Sequence, residues 1–110
     1  MEIRNARIES DRFGKEDHGI MTCYLMLDYG GRGQGFGGYA FDKWDETAGR
    51  RVGAAYGMEW MMRLFSALEV ETLDQLVGMP VRVETEHVKA HRIGHYIKDK
   101  WFNPSDIPAK

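Results

Sequence analysis

One cysteine, three prolines and no apolar run of membrane-spanning length exclude several classes of protein at the outset. With Cys23 alone, no intrachain disulfide can form and no cysteine-rich zinc site can be built. A disulfide-stapled chain is excluded, and a reducing, cytoplasmic setting is expected. No stretch approaches the roughly 20 apolar residues of a membrane span. The opening "MEIRNARIES" carries charge at Glu2, Arg4, Arg7 and Glu9, where a signal peptide would be apolar. Neither sign of charge dominates, since 15 basic and 17 acidic residues leave a net −2. That balance disfavours nucleic acid or an anionic membrane as partner of the whole molecule. Apolar residues make up 43% of the chain and aromatics 12%, enough for an ordinary core. At this length one domain over residues 1–110 is expected, burying about 65% of the surface its unfolded chain exposes.

The order of elements follows from hydrophobic period. "MEIRNARIES" reads as a short polar strand, and "DRFGKEDHG" as a charged connection punctuated by Gly14 and Gly19. "IMTCYLMLDY" is apolar on both faces and predicts a covered strand. A glycine segment follows, then "GYAFD" as a second, shorter strand, and "KWDETAGRR" as a polar loop. From Val52 the period changes to that of a helix, with Ala54, Met58, Met61, Phe65 and Leu68 on one stripe. Tyr56 and Trp60 share a second stripe, and Gly57 inside the helix costs about 1 kcal/mol against alanine. Close packing on a neighbour is the reason expected for it. Thr72 and Gln75 predict a capping box on one short turn. "VRVETE" alternates, with Val81 and Val83 inward, and "HVKAHRIGHYI" pairs back on it. Trp101 and Phe102 plug a tail whose residues 102–110 are otherwise expected to be loose. The fold class is α+β, about five mostly antiparallel strands in the order β-β-β-α-β-β with one main helix. That order also suits an OB-like barrel or a curled half-barrel.

Six glycines lie between Gly30 and Gly38 in "DYGGRGQGFGGYAFD". G-x-G-x-x-G is satisfied by Gly33, Gly35 and Gly38, but a strand-like "YAF" follows where the dinucleotide fingerprint requires a helix. No Lys-Ser or Lys-Thr follows either, so a P-loop is excluded. Two readings remain. The glycines supply positive φ and bulges for a sharply bent hairpin, or successive amides form an anion-binding nest. In the second, Arg32 supplies charge, Gln34 an amide, Gly35 close approach and Tyr39 a stacking surface. Arg50 and Arg51 precede the helix, where its positive end attracts an anion. They pair with Asp45 and Glu46 if they hold no ligand.

Other constellations carry less. His87, His91 and His95 recur every fourth residue, about 13 Å apart on a strand, which one metal cannot span. "EDHG" sets His18 beside two carboxylates but reads as a turn. Cys23 lies in the most apolar strand and reads as inert core. No cofactor motif, nucleophile elbow or metal set is present, so no cofactor and no metal are expected, and the pattern points away from an enzyme.

The segments "EDHGIMT", "LDYGGRGQGFGGYAFD", "RRVGAAYGMEW" and "DKWF" together resemble a family of small phage- and prophage-encoded proteins without an assigned activity. The resemblance covers nearly the whole chain and implies a setting, not a mechanism. Accessory proteins of this kind block or sequester a host component, which implies a counter-defence role. The expectation is a binding protein for a host protein or a phosphate-bearing, nucleotide-like small molecule, with homo-oligomers open and no membrane partner. The alternative is an OB-like module for single-stranded nucleic acid, with Lys15, His18 and His87 on its loops and Tyr24 or Tyr39 stacking bases.

Overall fold

Strand β1, Glu2–Lys15, organises the sheet in the computed structural model, which describes residues 1–108. Its first half pairs with β6 (Pro80–Glu86) and its second half with β2 (Met21–Asp28), both antiparallel. The changeover coincides with a register shift between Ile8 and Ser10. There Ile8 N donates to Met79 O and Gly78 N donates to Ile8 O. Residues 11–15 of the run expected as a charged connection are therefore strand, and Asp17–Gly19 forms a 3-10 turn. Beyond Ile8 β1 pairs with β2 alone, its other edge meets solvent, and polar residues suit that position.

The full sheet runs β3-β2-β1-β6-β7-β8, with β3 at Gly33–Gly37, β7 at Lys89–His95 and β8 at Trp101–Phe102. It curls until β3 approaches the β6–β7 turn, where side chains bridge the gap. Gln34 Oε1 accepts from Tyr29 Oη and Thr85 Oγ1, each at 2.6 Å, and Gln34 Nε2 donates to Glu86 O at 3.1 Å. No backbone ladder closes this seam, so the sheet stays open. The α+β class and the curl are as expected. A closed OB barrel is not formed, because β3 and β8 remain as edges.

A separate hairpin, β4 (Asp42–Asp45) with β5 (Arg50–Gly53), replaces the expected polar loop. Asp45 Oδ1 accepts from Thr47 N and Ala48 N, and Gly49 takes a φ of 67° to turn the chain. The expected strand "GYAFD" is displaced as well. Residues 38–41 leave the sheet, and Thr22 Oγ1 and Phe41 N tie them to β2.

Helix α1, Ala55–Leu68, lies in the concave side and buries Gly57, Trp60, Leu64, Ala67 and Leu68. This corrects the expected stripe, for Met58 is 66% exposed. The face with the largest aromatic faces inward instead. Trp60 is fully buried, with ring centroids 5.9 Å from Phe36, 5.3 Å from Phe41 and 5.0 Å edge-on from Phe102. Burying one such side chain stabilises by about 1.5–3 kcal/mol, and an aromatic pair adds about 0.5–1.5 kcal/mol. Gly57 lets the helix approach Phe41, the close packing its position implied.

The capping box at Thr72 and Gln75 and the β6–β7 hairpin form as expected. The tail does not hang loose from residue 102. Phe102 and Ile107 are buried, and Asn103 Oδ1 accepts from Ser105 N to cap a short 3-10 turn. Residues 109–110 of the expected loose tail lie outside the described residues. Among those described, no helix is long and apolar enough to cross a membrane.

Candidate ligand-binding cleft

The glycine segment folds as a tight, twisted hairpin. Gly30 and Gly31, with φ of 90° and 106°, occupy the two-residue tip, where positive φ matches the twist of the flanking strands. Tyr29 N donates to Arg32 O at 2.9 Å, and Asp28 Oδ1 takes the Gly30 amide at 2.8 Å. Gly35 lies under the Tyr24 ring, and a Cβ there would fall 1.7 Å from the hydroxyl. Arg32 is exposed at the tip, Gln34 is engaged across the seam, and Gly35 is covered. The three predicted residues therefore lie in different surroundings, Arg32 in solvent, Gln34 in the seam and Gly35 beneath a ring. Burial raises the Tyr29 hydroxyl above its ordinary value, against the lowering effects of Thr85, Arg4 and Arg32.

Arg51 is a fastener. Its Nη2 lies 2.8 Å from Asp42 Oδ1, while Asp42 Oδ2 accepts from Met21 N at 3.1 Å. The bond from Arg51 holds the Asp42 carboxyl below its usual range, and the same bond raises Arg51. Arg50 stands opposite Asp45 in the hairpin, and its Nη1 donates to Arg51 O. Arg51 pairs with Asp42 rather than with the expected Asp45 or Glu46, because the β4–β5 register sets which carboxylate it meets. Tyr39 is half-buried, with its ring 6.5 Å from Tyr56 and Lys89 Nζ 6.0 Å from its centroid.

The histidines are engaged or exposed. His91 pairs with Glu86, His95 Nδ1 accepts from two backbone amides, and His18 is exposed beside Asp17. Among the described residues no group of three or more His, Cys, Asp or Glu is placed to hold a metal. Cys23 is fully buried, and burial pushes its thiol up to about 12. That places it far from the activated thiolates of nucleophilic cysteines.

A cleft of about 640 Å³ opens between the β4–β5 hairpin, the start of α1 and the C-terminal segment at Ile107. That volume is within the usual range of small-molecule sites. Lys43 and Arg63 supply cations, and Glu59 Oε2 accepts from Arg63 Nε at 2.6 Å. Tyr56 forms an aromatic wall, its hydroxyl raised by burial and by the neighbouring Tyr39. The first turn of α1 carries no acidic residue, and Ala54 offers no side-chain cap. The positive end of the helix therefore has no carboxylate in its own first turn, and Glu59, which lines the cleft from the next turn, is paired with Arg63.

Sequence reasoning located the helix start as an anion-attracting place but assigned its charge to Arg50 and Arg51. The hairpin register commits Arg51 elsewhere and puts Lys43 at the opening. Tyr56 had a signal in the second helical stripe and Arg63 in its spacing one turn after Glu59, while Lys43 had none in local sequence. No family model, curated protein or solved structure matches this chain.

Proposed function

We propose that this chain is a phage-type accessory binding protein that captures a phosphate-bearing small molecule stoichiometrically, without turning it over. The carrying observation is the cleft at the start of α1, sized for a nucleotide-like ligand and combining Lys43 and Arg63 with the Tyr56 ring. A ligand phosphate meets the cations and the uncapped helix end, while a planar base or ring packs on Tyr56. Capture rather than catalysis is supported by the chemistry nearby. Glu59 is bonded to Arg63, and the chain's single thiol is buried in the sheet. Counter-defence, by removing a host signal or cofactor from solution, is the role that fits capture by a small phage-type protein.

Thermal unfolding against a panel of nucleotides, with a single-stranded oligonucleotide included, tests the reading. A ligand at about 100 times its dissociation constant stabilises by about 2.7 kcal/mol. Lys43 is exposed, so Lys43→Glu should fold normally and lose most of that stabilisation. No response to any nucleotide removes the reading. A response to the oligonucleotide alone, weakening as salt rises, replaces it with the nucleic-acid alternative.

A further inference from the structure

Beyond its register shift β1 has a free edge, and the hydrogen bonds on the far side of β2 show which residues line it. Cys23 O accepts from Gly38 N and Met21 O from Phe41 N, both turned away from β1. In an antiparallel pair the backbone groups of alternate residues point to opposite edges. Thr22, Tyr24 and Met26 therefore bond β1 through the residues opposite them, Gly14, Arg12 and Ser10. Asp11, Phe13 and Lys15 are left with N–H and C=O directed outward. Of these groups only Lys15 O is engaged, by Arg12 Nη2 at 3.3 Å. A row of this kind is a template for another strand.

Charge commonly blunts such an edge, and Asp11 and Lys15 are charged. Their signs are opposite, however, and among the described residues neither has an ion-pair partner. Phe13 lies between them, 46% exposed, with its ring 6.3 Å from that of Phe41. All three side chains share the face of Cys23 and Leu25, because opposed residues point the same way. This pattern is complementary to itself about Phe13. A two-fold axis through Phe13, normal to the sheet, sets two copies antiparallel with that face on one side. Asp11 of each copy then stands opposite Lys15 of the other, and the two Phe13 rings stand opposite each other. Each opposed pair exchanges two backbone hydrogen bonds. Arg12, bonded to Glu16 within its own copy, meets only a glycine, Gly14. Neighbouring registers lose the match. Centred on Arg12, the pairing opposes two arginines. Centred on Gly14, it sets Phe13 against Lys15 and leaves Asp11 with no cation opposite. After Lys15 the chain turns back toward β2, with Glu16 N donating to Ile20 O, so the turn heads away from the new seam.

We propose that two copies of this chain join their sheets edge to edge along residues 11–15 of β1, antiparallel and centred on Phe13. None of the three edge residues lines the α1 cleft, and the contact does not depend on it.

Light scattering coupled to gel filtration over a concentration series reads the dimer, and charge reversal reads its register. The wild type should dimerise below millimolar concentration. Asp11→Lys and Lys15→Asp each set like charges opposite one another twice, and each should raise the dissociation constant at least about tenfold. Combining the two reversals restores opposite signs at both pairs and should return the constant to within about threefold of wild type. Circular dichroism spectra should match throughout, since both positions lie at an open edge. Exchange of the Phe13 amide should slow as wild-type concentration rises. A wild type that stays monomeric up to about millimolar concentration, or a Phe13 amide whose exchange ignores concentration, overturns the proposal. So does a dimer that either single reversal leaves intact, or one that the double reversal fails to restore. Nucleotide-induced stabilisation should be the same in Lys15→Asp as in wild type, which separates this test from that of the cleft.

Discussion

Replacing Gly57 with alanine sets two effects of opposite sign against each other. In an exposed helix the change gains about 1 kcal/mol of propensity. Here the new methyl would fall 2.5 Å from Phe41 Cβ, 2.7 Å from Cγ and 3.1 Å from Cα. Carbon atoms pack at about 3.5–4.0 Å, so the helix or Phe41 must move by about 1 Å. Phe41 has little freedom to yield. It is 5% exposed, its N donates to Met21 O at 2.8 Å, and its O accepts from Ala54 N at 2.9 Å. Its ring also packs on Trp60 and Tyr56. Overpacking of this kind costs about 1–3 kcal/mol before relaxation elsewhere. With backbone and Cβ atoms in the way the upper half applies, and the net loss should be about 1–2 kcal/mol. Equilibrium unfolding in urea, followed by tryptophan fluorescence, should show a lower midpoint at unchanged slope. Ser66→Ala, exposed on the same helix, serves as the control and should gain up to about 0.5 kcal/mol. If Gly57→Ala is as stable as wild type, close approach to Phe41 does not constrain α1, and the account of this glycine fails.

Gln34→Ala should lose about 0.5–1.5 kcal/mol, because the bonds from Tyr29 and Thr85 across the seam are lost while Thr85 Oγ1 keeps Glu86 O and Lys89 O as acceptors. Hydrogen exchange in β3 should quicken with it, and unchanged stability and exchange would show that Gln34 does not hold the seam. Bonds from Lys100 and then Lys98 lower the Glu69 pKa from 4.5 to about 2. A carboxylate depressed on folding contributes fully above its unfolded value, and that contribution is lost as pH falls from about 4.5 toward about 2. The stability gap between wild type and Glu69→Gln, read from urea midpoints, should therefore narrow across that window. A gap independent of pH would refute the pairing. Cys23 should resist thiol reagents at pH 8 in the native state and react once the chain is unfolded; rapid native labelling would contradict its burial.

Features set by neighbours in sequence were readable from sequence. Val81 and Val83 alternate against Arg82 and Glu84, and that strand forms where expected. Thr72 and Gln75 meet because they are three residues apart, and the helix beginning near Ala54 is visible in its period. Where two helical stripes competed, the sequence offered no way to choose. Met58, Met61 and Phe65 are as apolar as the side that is buried, and the choice fell to Trp60 because Phe36, Phe41 and Phe102 converge on it. The cleft follows the same division. A positive helix end near residue 54 was foreseeable, but its cations were not. Arg51 turns to Asp42, 2.8 Å away, and Lys43 faces the cleft through strand pairing between segments that read as loop.

Backbone preference and hydrophobic period over a few residues were enough for the α+β class, the main helix and the β6–β7 hairpin, while they left the glycine segment open between a bent hairpin and a nest. Long-range contacts decided that β1 runs on past Ser10 to Lys15 and that Gln34 joins the edges of the curl. They also decided that Phe102 and Ile107 draw the tail into the core, and that a cleft opens where the hairpin meets the helix. These features depend on contacts between residues far apart in the chain, whose partners exist only once the sheet has curled around Trp60.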